Sequence, residues 1–213
     1  MPFDLAVIDL DNTLYAANNG VFDRMDQRMT AYVAKHLALP EEEANALRIK
    51  YWHQYGTTLR GLILHHHVDA EDFLTDAHNI AAHELLENDS ELNEALHNIE
   101  SPKVIHTNGT REHAQTILKA LGISHHFHCI YDIRFRDYIP KPCAQTLEKL
   151  LKVEGVTASR SLIIDDMTPN LEVAQILGAK TCWVADQPQD NTWDYHVTSF
   201  HQIPSTIIKK HGI

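Results

Sequence analysis

The stretch VIDLDNTLY, Val7 to Tyr15, begins as a buried strand and ends in two carboxylates and a threonine. A short run of β-branched and aliphatic residues is what a strand covered on both faces requires. A lone carboxylate buried there costs several kcal/mol or shifts its pKa. The stretch therefore predicts that Asp9 and Asp11 stand at a wet strand end, beside something cationic.

Four further runs resemble the first: KVIHT (103–107), HCIYD (128–132), SLIID (161–165) and KTCWVA (180–185). Helical patterns separate them. REHAQTILKALG (111–122) places Ala114, Ile117, Leu118 and Leu121 on one face, with Gly122 as a stop. PCAQTLEKLLKVEG (142–155) opens on proline and closes on glycine. TPNLEVAQILG (168–178) offers Thr168 as N-cap, Pro169 just inside, and Gly178 as the end. Strand and helix in alternation predict an α/β fold, a parallel sheet covered on both faces.

Residues 16–100 break that alternation. They lack strand-like runs, and 25–39, 41–56, 69–86 and 90–99 read as amphipathic helices. The expected organisation is an α/β core of residues 1–15 and 101–213, with 16–100 inserted as helices.

The 213 residues are 44% hydrophobic and 22% charged, enough for one substantial core. The net charge of −11, without any basic block, argues against a nucleic-acid duplex or an anionic membrane as partner. Three dispersed cysteines fit neither a disulfide framework nor a zinc knuckle. The N-terminal MPFDLAVIDL has no signal-peptide pattern and no run is long enough to span a bilayer, so a cytoplasmic protein is expected.

In open α/β sheets ligands bind beyond the carboxyl ends of the strands. Asp9 and Asp11 follow the first strand, Thr107 and Asn108 the second, and Asp165 and Asp166 the fourth, while Lys141 lies in the loop RDYIPKP. Gathered at one edge, the four aspartates would repel by about 4 kcal/mol per close pair at an effective dielectric near ~20. A hard divalent cation relieves this, and oxygen-only ligands select Mg²⁺ or Ca²⁺ over zinc. Lys141 and the Thr107 hydroxyl suit phosphate oxygens. One carboxylate can then attack phosphorus while a second moves the proton. Taken singly, each piece has a structural reading: an Asx turn at Asp9 and Asp11, a helix N-cap at Thr107-Asn108, a surface lysine, and a capping cluster at Asp165-Asp166.

Asp9-x-Asp11-x-Thr13, Thr107-Asn108, Lys141-Pro142 and Asp165-Asp166-x-x-x-Asn170 together resemble the four motifs of the haloacid dehalogenase superfamily of phosphohydrolases, in order and over nearly the whole chain. The resemblance implies a Rossmann-like core with a helical cap inserted after the first motif. It implies Asp9 as the nucleophile that forms an aspartyl-phosphate, and Asp11 as general acid and base whose carbonyl also ligates Mg²⁺. Thr107 would bind the phosphoryl group and Lys141 would neutralise charge. Asp9, Asp11, Asp165 and Asp166 would form the metal site, with the direct ligand of the last pair left open. Amides near Leu10 and Asn108 would add donors.

The cap segment Tyr55-Gly56-x-x-x-Arg60-Gly61-Leu62 and YDIRFRDYIPKP (131–142) are similar to the pyrimidine 5′-nucleotidase-like branch. That resemblance points to a small phosphorylated metabolite, first a pyrimidine nucleoside 5′-monophosphate, with Arg60 as a substrate-binding fork and Gly56 and Gly61 letting backbone approach the ligand. Alternatives are a sugar phosphate or phosphoglycolate-like substrate, a phosphomutase, a dehalogenase (against which Asp11 argues), or a non-enzymatic phosphate binder. A monomer or homodimer is expected. His65, His66 and His67 point in different directions on a helix and are read as surface residues rather than a zinc site, and Tyr51, Trp52 and Tyr55 as packing.

Overall fold

The computed structural model describes residues 3–187 and 192–211, apart from the side chains of residues 210 and 211. Six parallel strands are joined in the order β3-β2-β1-β4-β5-β6. They are β1 (Leu5–Ile8), β2 (Lys103–His106), β3 (Cys129–Tyr131), β4 (Ser161–Asp165), β5 (Lys180–Val184) and β6 (Tyr195–Val197). All pairs are parallel, with Ile8 opposite Ile105 on one side and Ile164 on the other. The order reverses at β1, which puts its carboxyl end at the switch point where such sheets bind ligands.

Every residue of β1 is buried, and alternate residues serve opposite faces of the sheet. Ala6 and Ile8 join one cluster with Ile105, Leu162 and Ile164; Leu5 and Val7 join a second with Leu147, Leu150 and Leu171. The first face is covered by α5 (Ser90–His97) and α6 (Arg111–Ala120), the second by α7 (Ala144–Glu154) and α8 (Thr168–Ile176).

The helical stretch after β1 holds α1 (Val21–Leu37), α2 (Glu41–Tyr55), α3 (Thr58–His66) and α4 (Ala70–Ala77). It feeds two clusters. Tyr32, Val33, Tyr51, Leu59, Leu62 and Phe73 pack among themselves in a third cluster, with Ile133 from the loop after β3. Val21 and Met25, and then Ala82, Leu86, Leu92 and Leu96, pack instead with the sheet.

Several sequence expectations are corrected. The helix read over 69–86 stops at Ala77, and a short 3₁₀ turn follows at Ala82–Glu84. The apolar spacing continues past the break because Ala82 and Leu86 face a different cluster from Phe73 and Leu74. Helix α8 has Met167 as its N-cap, so Thr168 and Pro169 are its first two residues. For α6 the N-cap is Thr110, whose side chain accepts from His113 N at 3.1 Å, so Thr107-Asn108 is not the cap. Gly61 packs on α2: a Cβ there would fall 2.2 Å from the Tyr51 ring. Its glycine serves helix contact rather than ligand approach. Trp52 is 47% exposed, so of the aromatic trio Tyr51 is the one that is buried. Strand β6 and α9 (Ile203–His211) had no counterpart in the sequence reading.

A polar latch joins α4 to the loop after β3. Arg134 makes two 2.8 Å bonds to Glu71 and one to Asp132 at 2.7 Å; the Tyr138 hydroxyl donates to Glu71 at 2.7 Å. Bonds from Arg134 and Tyr138 hold the Glu71 carboxyl down at about 2. A folded-state pKa below the ordinary value gives stability that is present above the unfolded pKa and lost as pH falls through the folded one. The group is largely exposed, so the effect is modest. Arg134→Gln is expected to lower the melting temperature by about 2–4 °C at pH 7, with the difference closing toward pH 3. Paired thermal melts across that range check it.

Candidate active site

The end of β1 carries Asp9, whose amide still bonds Ile164 O at 2.9 Å as if the strand continued. Its side chain is buried. The cation that the sequence called for is Lys141: its Nζ lies 2.6 Å from Asp9 Oδ1, 2.9 Å from Asp165 Oδ2 and 2.8 Å from the His106 carbonyl. Lys141 is only 8% exposed, which removes the surface-lysine reading. Thr13 Oγ1 donates to Asp9 Oδ2 at 3.1 Å, so both oxygens of Asp9 are oriented.

The loop bearing Lys141 is fixed by Asn108. Its Oδ1 accepts from Lys141 N at 2.7 Å and its Nδ2 donates to Lys141 O at 3.3 Å. Beside it, Thr107 Oγ1 accepts from Gly109 N at 2.9 Å. Gly56, at the end of α2 with φ of 84°, approaches the same loop; a Cβ there would meet Pro140 at 3.1 Å and the Lys141 carbonyl at 3.3 Å.

Beyond β4 the two adjacent acids differ. Asp165 Oδ1 accepts from Met167 N at 2.9 Å and Asn170 Nδ2 at 2.8 Å, while Oδ2 faces Lys141. Both oxygens are committed. Among the described residues, no donor from another residue reaches the Asp166 carboxylate. Asp9, Asp165 and Asp166 each place a carboxylate oxygen within 4.8 Å of the others, the one group of that kind among the described residues.

Burial pushes the Asp9 carboxyl well above the usual range; Lys141 opposes this, and the charges of Asp165 and Asp166 add to it. Burial and Asp165 raise Asp166 to about 7. Lys141 behaves oppositely: burial would depress it, but Asp165 and Asp9 outweigh burial and raise it. One lysine thus leaves the acids short of positive charge. Three hard oxygen donors in that state fit a divalent cation such as Mg²⁺.

Asp11 stands apart from that trio. The Tyr15 hydroxyl and His113 Nε2, the latter at 2.8 Å, both bond its Oδ1. Burial would raise its pKa, but His113 and Tyr15 overcome that and lower it. Neither partner was picked out from the sequence. Tyr15 was visible in the opening stretch, four residues after Asp11; His113 lies 102 residues away and carried no local signal. His78, at the end of α4, packs its ring 4.8 Å from that of His113.

Arg60 sits on α3 with no ion pair or side-chain hydrogen bond among the described residues, so contacts do not join it to the carboxylates. His65 and His66 bond the hydroxyls of Tyr55 and Tyr51 at 2.6 and 2.7 Å, and His67 caps the helix.

The haloacid dehalogenase-like hydrolase family matches residues 3–178. The chain belongs to that family. It is 28% identical over 187 residues to phosphate metabolism protein 8 of Saccharomyces cerevisiae, covering 80% of this chain and 58% of that protein. The chain therefore spans little more than half the length of this relative. The fold is shared with a HAD phosphatase from Thermococcus onnurineus (TM-score 0.64, 15% identity, 96% of this chain and 97% of that one). It is shared also with the putative HAD-hydrolase YfnB of Bacillus subtilis bound to magnesium (TM-score 0.63, 14% identity, 95% and 97%). The Rossmann-like α/β core expected from the motifs is the fold of this haloacid dehalogenase-like hydrolase. No helix among the described residues is long and apolar enough to cross a membrane.

Proposed function

We propose that this hydrolase is a Mg²⁺-dependent phosphomonoesterase that acts on a small phosphorylated metabolite through an aspartyl-phosphate on Asp9. The observation that carries the reading is the buried Asp9 carboxylate at the end of the central strand, bonded to a lysine, Lys141, that it shares with Asp165, and with oxygens of Asp165 and Asp166 within 4.8 Å.

Asp9 attacks phosphorus, and the leaving oxygen takes a proton from Asp11. Water then attacks the aspartyl-phosphate, Asp11 takes the water's proton, and inorganic phosphate leaves with Asp9 restored. His113 and Tyr15 favour the ionised form of Asp11, which suits the second step, where it acts as base; in the first step the phosphate dianion beside it raises the carboxyl, so that it carries the proton it gives. Lys141 offsets charge on Asp9 and the transferring group, and Thr107 with the amides near Leu10 and Asn108 holds phosphoryl oxygens. Asp9, the Asp11 carbonyl and Asp166 are the proposed holders of Mg²⁺. Asp165 is the positioning partner, because its oxygens are already used by Lys141, Met167 and Asn170. When bound, the ion supplies charge that keeps Asp9 ionised and offsets phosphate charge.

Helices α1–α4, with the third cluster as their own core, are the proposed cap; residues 82–99, which pack with the sheet, go with the core. Gly56 against the Lys141 loop brings the Tyr55–Leu62 segment to the site, and uncommitted Arg60 is the proposed fork for the rest of the substrate. A pyrimidine nucleoside 5′-monophosphate is the first substrate to try. Phosphate release from a panel of nucleotides and sugar phosphates is expected only with Mg²⁺, falling about 100-fold or more on chelation. Turnover that survives chelator would remove the metal, and isomerised sugar phosphate in place of free phosphate would make the protein a mutase.

A further inference from the structure

Asp11 is tethered through one of its two oxygens. Oδ1 takes both the Tyr15 hydroxyl and His113 Nε2, while no donor among the described residues reaches Oδ2. The pair is nearly dry, with side-chain exposures of 11% for Asp11 and 1% for His113.

The His113 ring is fixed from several sides. It stands in the first turn of α6, where its own amide is bonded to the Thr110 cap. Its Nδ1 is buried with no partner. Nε2 carries a proton toward the carboxylate in either charge state of the ring, because the buried Nδ1 has no acceptor that would favour the other tautomer. From the α4 side, His78 donates Nδ1–H to the Leu74 carbonyl at 2.9 Å and lays its ring against His113.

We propose that His113 and Tyr15 are positioning residues for proton transfer: they keep Asp11 Oδ1 as an acceptor, so that the proton Asp11 gives and takes is confined to Oδ2. Two donors converging on one oxygen leave no room for a proton there. They also fix the carboxylate plane and so set the direction in which Oδ2 faces. The inference rests on the proposed acid–base role of Asp11.

The test is kcat/KM for alkyl and aryl phosphates, because that ratio reports the step in which the leaving group departs. An aryloxide such as 4-nitrophenolate departs without a proton, whereas an alkoxide needs one. His113→Leu is expected to lower the alkyl-to-aryl ratio of kcat/KM about 10-fold or more, within the range by which general acids contribute. Tyr15→Phe is expected to lower it in the same direction. His113→Gln, whose amide N–H can take the place of Nε2–H, is expected to restore most of the ratio. Equal losses on both substrate classes, or a glutamine variant as impaired as the leucine one, would overturn the proposal. Asp11→Asn run alongside separates the two levels. If its ratio does not fall, the acid–base reading fails; if it falls and those of His113→Leu and Tyr15→Phe do not, the positioning role alone fails. Tyr15→Phe, which removes one oxygen atom, serves where His113→Leu does not fold.

Discussion

Asparagine in place of Asp9 is expected to reduce phosphomonoester turnover by about 10⁴-fold or more while leaving the protein folded. The replacement keeps size and shape but removes the anion that would attack phosphorus. Its neighbours keep most of their partners, since Lys141 retains the His106 carbonyl and Asp165. The stability change has a definite sign. Burial holds the Asp9 carboxyl well above its ordinary value. A group whose folded pKa is raised contributes stability below its unfolded pKa, and that contribution is lost as pH rises through the folded pKa. Without divalent cation at pH 8, Asp9→Asn is therefore expected to melt no lower than the parent protein. With Mg²⁺ the order is expected to reverse, because the parent keeps both proposed carboxylate ligands, Asp9 and Asp166, for the ion. Phosphate release and thermal melts with and without Mg²⁺ check both halves. An unfolded variant would void the activity result, and a folded, active one would remove Asp9 from the chemistry.

The parts of this molecule that were legible in its sequence share a physical property. β1 and the central residues of β2, β4 and β5 are buried in a parallel sheet, so each strand carries a short apolar run, with polar residues only toward its ends. β6 has three residues, with half-exposed His196 between Tyr195 and Val197, and nothing in its composition distinguishes it from a loop. Helix faces were legible where one cluster receives the whole face, as in α6, and misread where the receiving cluster changes, as between α4 and Ala82. At the site, the meeting of Asp9 and Asp165 was legible because both stand at strand ends, while Lys141 lay in a loop that the sequence could only bring to the same edge through its motif. His113 and His78 were not, because their value arises from contacts across the fold, and a histidine in a helix looks alike whether it meets solvent or a carboxylate.

Lys141→Met is expected to be the most damaging single change to stability. The methionine fills the lysine's volume but leaves Asp9 and Asp165 buried without their shared cation, a loss of about 3–5 kcal/mol. The same change is expected to cut turnover by about 10²–10³-fold, the usual effect of removing one preorganised donor. Its pH dependence distinguishes it from a packing defect. Lys141 itself is held protonated, above its ordinary value, by Asp165 and Asp9, so nothing about the lysine titrates near neutrality. What titrates is the exposed imbalance. Asp9 is already raised well above its ordinary range and Asp166 to about 7, and without the lysine Asp9 rises further. These raised carboxyls favour the folded state while protonated and disfavour it as pH climbs through their folded values. The deficit is thus expected to be smaller at pH 5 than at pH 8. Mg²⁺ is expected to recover part of it at pH 8, because a divalent ion held by Asp9 and Asp166, beside Asp165, supplies part of the charge that the lysine carried. Lys141→Arg is expected to rescue poorly: a planar fork does not fit a buried point bonded to Asp9, Asp165 and the His106 carbonyl within 2.6 to 2.9 Å. Denaturant titrations of the parent and both variants at the two pH values, with and without Mg²⁺, measure these differences. A loss of equal size at pH 5 and pH 8, unmoved by the cation, would mean that Lys141 acts through packing and that the electrostatic account of the site is wrong.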